Sequence, residues 1–276
     1  FAEENNNCLS LTQKTSDIPF SSNLDFSNCN LVGVLLNDLD LQNTNFEGSD
    51  LSGAYLFGSD LQNANFDNTV LYGANLQSTN LENASFQNSI LSGASFRDAN
   101  LQNVNFYNSE VKNVDFYKAN LIDTNFSNAD ASDANFCGGY LAYMKFDNTI
   151  FKNTDLHNAK LMFADLKTSV FENTNLVGAD LSNTNLENQN IRDSNLYSAN
   201  LYNTNLSGTD LQNSNLRFAN LLDANMNNSN LINTDFYNAN IENIQLDDAI
   251  LDNTNFYGTT ILEQFPSIDN SKITFN

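Results

Sequence analysis

His157 is the single histidine of the chain, and so the one side chain whose ordinary pKa suits proton transfer near neutral pH. A catalytic base needs a nucleophile or an orienting carboxylate beside it. The three cysteines, Cys8, Cys29 and Cys137, stand at no spacing from His157 that matches a metal site or a Cys–His pair. His157 therefore reads as a surface residue. Aspartates are the other candidates, because two carboxyl groups roughly 5–10 Å apart can cleave a glycosidic bond as acid and nucleophile or base. Yet Asp40, Asp50, Asp60, Asp115, Asp165, Asp180 and Asp210 all sit just before a large apolar residue and recur from end to end. A position repeated so widely has a role in the repeat. No catalysis, metal or cofactor is expected.

Charge narrows the classes further. With 33 Asp plus Glu against 11 Lys plus Arg, the formal net charge is −22. Direct binding to nucleic acid or to an anionic membrane surface is not expected of such a chain. Membrane insertion is not expected either, since no apolar run approaches the roughly 20 residues that span a bilayer.

The elements that must position these residues follow one rule, legible in Leu71–Phe86: a large apolar residue every fifth position and a small one two places before it. These large residues, the centres, run unbroken from Phe26 to Ile261, 48 in succession, and only Ala131 is small. A helix needs a period near 3.6 and a long strand a period of 2, so neither fits. In extended chain, residues two apart share a face. The small residue and the centre therefore point the same way, and the chain must turn once per pentapeptide to point inward again. Two residues after the centre stand Asn at 23 repeats and Gly at 10, both tolerant of left-handed backbone. Right-angled turns make a four-sided coil of about 20 residues, and 48 centres make about 12 coils, a rod of roughly 58 Å at ~4.8 Å per rung. Reading every twentieth residue supports four sides: Phe26, Phe46, Phe66, Phe86, Phe106, Phe126 and Phe146 fall in one column of centres. Like rings can lie on like rings there.

The triplets Ala74-Asn75-Leu76, Ala119-Asn120-Leu121, Ala179-Asp180-Leu181, Ala199-Asn200-Leu201 and Ala219-Asn220-Leu221 carry a resemblance. They look like the Ala-(Asp/Asn)-Leu-X-X consensus of the pentapeptide repeat family, over roughly residues 24–262. The resemblance implies an all-β, right-handed quadrilateral parallel β-helix. One known branch of the family mimics DNA to bind DNA gyrase. For that alternative, an inhibitor or protector of a DNA-binding enzyme, residues 26–261 carry 27 acidic and 9 basic side chains. That is about half the linear charge density of duplex DNA, which carries one charge per ~1.7 Å. No insertion breaks the register, and Lys145, Lys152, Lys160 and Lys167 interrupt the acidic surface at mid-rod.

Segments 1–23 and 263–276 lie outside the period and read as caps over the open ends, which would otherwise offer unpaired edges. Pro19 and Pro266 bracket the repeats. Cys8 and Cys29 could form a disulfide tying the first cap to the first coil, or stay as two buried thiols. Phe1 reads as the start of a processed or trimmed chain, and Ala2 beside acidic residues places export, to a periplasm or thylakoid lumen, ahead of the cytoplasm. Inward threonines such as Thr44, Thr69, Thr79, Thr124 and Thr154 speak against an ice-binding face.

The consensus fails repeatedly between residues 131 and 167: Ala131 replaces a large centre, Gly139 empties a small position, and Tyr143 and Phe163 take turn sites. Local rules tend to fail where function sits. On a twenty-residue coil, Tyr140 and Lys160 stack before their centres, Ala142 and Met162 after them, and Tyr143 and Phe163 at the next corner, with Ile122 one rung away and Lys145 and Lys167 round the corner. Aromatic and Met side chains rimmed by charge have the composition of an interface core. The expected contact is a protein partner bearing carboxylates or phosphates, or a second copy. A weaker candidate is the outward column Phe57, Tyr117, Tyr197, Tyr237 and Tyr257, with Arg97 and Arg217 between.

Overall fold

The structure, a computed structural model, describes Cys8 and residues 22–275 apart from Ser267 and Asn270. Each pentapeptide makes one side of a square, and parallel bridges join residues twenty apart along the rod, from Asp25–Asn45 to Asp235–Asn255. The bridged residue is the one just before each centre, so most sides pair at a single residue. Among the described residues, two places widen into strands: β1 (Ile150–Lys152) pairs with β2 (Val170–Glu172), and β3 (Thr254–Asn255) pairs with β4 (Ile273–Thr274). The fold is a right-handed quadrilateral β-helix.

Turn chemistry explains the corners. The centre's carbonyl accepts the N–H three residues on, as in Phe46 O from Ser49 N–H at 3.0 Å. Every turn site from Asn28 to Gly258 except Thr168 holds a positive φ. Asn and Gly dominate because this region costs other L-residues free energy.

Inside, every centre from Phe26 to Leu246 is buried. Phe46, Phe66, Phe86 and Phe106 stack at 4.6–5.1 Å with planes within 16°. A second column absent from the expectation, Phe96, Phe116 and Phe136, stacks beside the first and meets it edge to face, as in Phe96–Phe106 at 6.0 Å and 90°. Inward hydroxyls are satisfied by centre carbonyls, as in Thr69 Oγ1 to Phe66 O at 2.6 Å and Thr154 Oγ1 to Ala131 O at 3.0 Å. Among the described residues, Thr44 Oγ1 is the buried side-chain oxygen left without a partner.

The small-position irregularities are packed. Phe151 is fully buried against Phe136 and Phe146, at 6.1 and 5.0 Å, beside the space that Ala131 leaves. Gly139 was expected to empty its position, but a Cβ there would stand 2.9 Å from Leu141 Cδ1 and 3.1 Å from Phe136 O. Its position is tight, closed in by the Leu141 side chain and the Phe136 carbonyl.

At the ends, a disulfide joins Cys8 to Cys29, with Cα atoms 5.5 Å apart. The rest of segment 1–21 lies outside the described residues. At the other end, α1 (Ile261–Gln264) straddles the expected 262/263 boundary, and the chain then returns so that Ile273 and Thr274 pair with Thr254 and Asn255. That return covers part of the last coil's edge.

Candidate protein-contact surface

The aspartates resolve first. Residues before the centres accept the N–H two places on, as Asp40 Oδ1 accepts from Gln42 N–H at 3.2 Å. Where the residue is Asn, its amide also donates to the residue twenty earlier: Asn120 to Asn100 at 3.2 Å and Asn100 to Asn80 at 3.0 Å. A carboxylate has no proton to donate downward, so Asp takes the foot of a ladder, as Asp180 does beneath Asn200, Asn220 and Asn240. Their role is structural.

The arginines of the weaker candidate column are clasped within the rod. Arg97 pairs with Asp115 at 2.8 Å and lies 4.3 Å over the Tyr117 ring. Arg217 repeats this with Asp235 at 3.4 Å and Tyr237 at 4.3 Å. The hydrogen bond that Arg97 donates to the Asp115 carboxylate, with that carboxylate's charge, raises the Arg97 pKa. Farther along this face Tyr197, Phe218, Tyr237 and Tyr257 touch in sequence at 5.4, 5.6 and 5.4 Å. Phe218 is a ring at a turn site that the sequence reading passed over; its spacing of two from centre Leu216 marks it.

Cys137 and His157 also look different in the structure. Both follow centres on one face, twenty residues apart, which places them on neighbouring rungs; the twenty-residue rule could have paired them. The pair lacks a reactive setting, because burial, and then Asp155, push the Cys137 thiol up. Among the described residues no three His, Cys, Asp or Glu cluster as a metal site.

The mid-rod patch is brought together as the spacing implied. Tyr140 bridges to Lys160 one rung above. Tyr143 and Phe163 hold left-handed backbones, φ 60° and 62°, and their rings stack at 5.2 Å and 4°. Both are about half exposed, at 55% and 50%, and Tyr140 is 54% exposed. Met162 and Ile122 are half-buried, and Ala142 between them is buried. Lys145 and Lys160 take part in none of the ion pairs among the described residues. Lys167, the third lysine of the expected patch, pairs through its Nζ with Glu187 at 3.0 Å.

Such a rod is a solenoid of four-sided coils. The chain belongs to the pentapeptide repeat family: the pentapeptide repeats model matches residues 22–56 and overlapping segments from 140 to 261, and the pentapeptide repeat region model matches 59–136. Among solved structures, HetL, involved in heterocyst differentiation regulation in the cyanobacterium Nostoc sp. strain PCC 7120, is 26% identical, covering 80% of this chain and 89% of its own with a TM-score of 0.34. Full-length QnrB1, a plasmid-mediated fluoroquinolone resistance protein, is 18% identical, covering 82% of this chain and 99% of its own with a TM-score of 0.32. A pentapeptide repeat protein of the Arabidopsis thaliana thylakoid lumen is 23% identical, covering 40% of this chain and 73% of its own with a TM-score of 0.28. No curated protein matches the chain. No described helix is long and apolar enough to cross a membrane.

Proposed function

We propose that this protein is a non-enzymatic binding rod whose main contact surface is the mid-rod corner formed by Tyr140, Tyr143, Lys145, Lys160, Met162 and Phe163. The observation that carries the reading is the stacked pair Tyr143–Phe163. A left-handed backbone costs an ordinary L-residue about 1–2 kcal/mol, and an aromatic pair returns only about 0.5–1.5 kcal/mol. Asn would sit at either corner without that cost, as it does at 23 others. Local stability therefore does not account for the two rings. Strain held at an exposed site points to function.

The partner's chemistry follows from charge. On a chain of net charge −22, two lysines without carboxylate partners beside exposed rings favour a protein that presents carboxylates. The test is Tyr143→Asn with Phe163→Asn, compared with wild type by thermal melt, by sedimentation and by affinity capture from the source cell. Capture of a defined partner that is lost in the variant, with the melt unchanged or raised, supports the surface. The same partner retained by a folded variant refutes it, and a sedimentation change alone assigns the surface to a second copy.

A second reading, mimicry of DNA toward an enzyme such as gyrase, rests on the acidic excess. Among the described residues six carboxylates are already matched by Lys or Arg, which thins that surface further. Inhibition of gyrase supercoiling by low-micromolar protein would put this reading first.

A further inference from the structure

One level of the rod lacks a run of five hydrogen bonds that the repeat requires, with single losses nearby at the N–H groups of Phe146, Asp165 and Asn185. Two bonds hold at its edges, Leu166 N–H to Asn185 O at 3.2 Å and Leu176 N–H to Asn195 O at 2.9 Å. Between them the pattern calls for five more: Thr168 to Glu187, Asn190 to Ser169, Phe171 to Asn190, Asn173 to Arg192 and Asn195 to Thr174. None of the five forms. Val170 and Asn190 are likewise unbridged among the described residues, although Ile150–Val170 below and Asn190–Asp210 above are joined. The gap is a cleft of about 200 Å³ lined by Ser169, Val170, Phe171, Glu172, Gln189 and Asn190.

Two residue choices produce the gap. Thr168 is the one turn residue outside the left-handed region, as its branched Cβ favours. The turn still closes through Ser169 N–H to Leu166 O at 3.1 Å. A turn that keeps this bond without a positive φ at its third residue has its central peptide reversed. Accordingly Asn148 N–H finds Thr168 Oγ1, at 3.0 Å, where the pattern would offer the Lys167 carbonyl. That carbonyl accepts instead from the side-chain amide of Gln189. Gln189 stands where other repeats place Ala, Ser or Thr, and it is buried. Its length wedges the two coils apart at the corner where the peptide has reversed.

We propose that this level is a built-in seam: two hydrogen-bonded stacks meet here, and the rod bends and first opens at this point. The far side stays latched by Gly178 N–H to Tyr197 O at 2.9 Å and Leu181 N–H to Asn200 O at 2.8 Å, so opening is a hinge about that side. The cleft has room for about seven waters at ~30 Å³ each. An inserted strand would need a further ~4.8 Å of separation. The stacked pair Tyr143–Phe163 lies below the seam, and Tyr197, Phe218, Tyr237 and Tyr257 lie above it. Bending therefore sets the angle between the two exposed aromatic surfaces.

The test is hydrogen exchange on the full chain. The amides of Phe171, Asn173, Asn190 and Asn195 are expected to exchange about tenfold or more faster than those of Leu211 and Asn213, which keep their ladder bonds. Thr168→Asn with Gln189→Thr restores the repeat and is expected to bring the seam amides to within about threefold of Leu211 and Asn213. Equal exchange in the wild type overturns the seam whether or not the repaired variant folds. A folded repaired variant that still exchanges fast at these amides overturns its assigned cause.

Discussion

Tyr143 and Phe163 show what a single residue can reveal in a repeat. Each was legible as an anomaly because forty-odd other corners defined the rule, and the structure adds that both accept left-handed backbone to stand outward. Replacing either by Asn is expected to leave stability unchanged or raise it by up to about 1 kcal/mol, read by chemical denaturation. Glycines divide by the same logic. Gly139→Ala should destabilise by about 1–3 kcal/mol, because the new methyl meets Leu141 and the Phe136 carbonyl. Gly53→Asn should be nearly silent, since nothing lies within 4 Å and Asn tolerates the turn. Cys137 and His157 mark the limit of residue-by-residue reading, for their adjacency exists only once the chain is folded onto its twenty-residue period.

At the scale of the coil, the five-residue spacing carried nearly all of the fold: the side length, the inward column and the corner chemistry follow from it. The Phe column from Phe26 to Phe146 was readable by counting twenties, whereas the edge-to-face packing of Phe96, Phe116 and Phe136 against it depends on ring orientation. Phe86→Ala is expected to cost about 3–5 kcal/mol by opening a cavity between two stacks, and Ala74→Leu about 1–3 kcal/mol by overpacking. The side-chain ladders could not be read from one repeat, because their direction depends on who donates to whom. Asn100→Asp removes the proton donated to Asn80 and sets oxygen against oxygen. It should cost about 1 kcal/mol, while Gln77→Leu, which removes a single half-buried bond to Ser95 Oγ at 3.0 Å, should cost less. Equal losses at Asn100 and Gln77 would mean that the ladders are incidental.

For the whole molecule, length and charge set the behaviour. Burial raises the Asp130 carboxyl, yet hydrogen bonds from Ser132 and the Lys112 ammonium together hold it below its ordinary value. A lowered folded pKa contributes stability that is present above the unfolded value, about 3.9, and is lost as pH falls through the folded one. Asp130→Asn should therefore lower the melting temperature near pH 6 and lose its effect at the acidic end, below about pH 4. The ion pair of Lys167 was not legible locally, since its partner Glu187 is twenty residues away. The contact surface itself is tested most directly by photo-crosslinking. A photoreactive phenylalanine analogue is placed at position 143 or 163, and at Asn153 on the opposite corner as reference. In extracts of the source cell, positions 143 and 163 are expected to capture one defined protein, with yield falling as salt rises, and position 153 to capture none. Capture of the same proteins at all three positions, or none at 143 and 163, would contradict a binding surface at this corner.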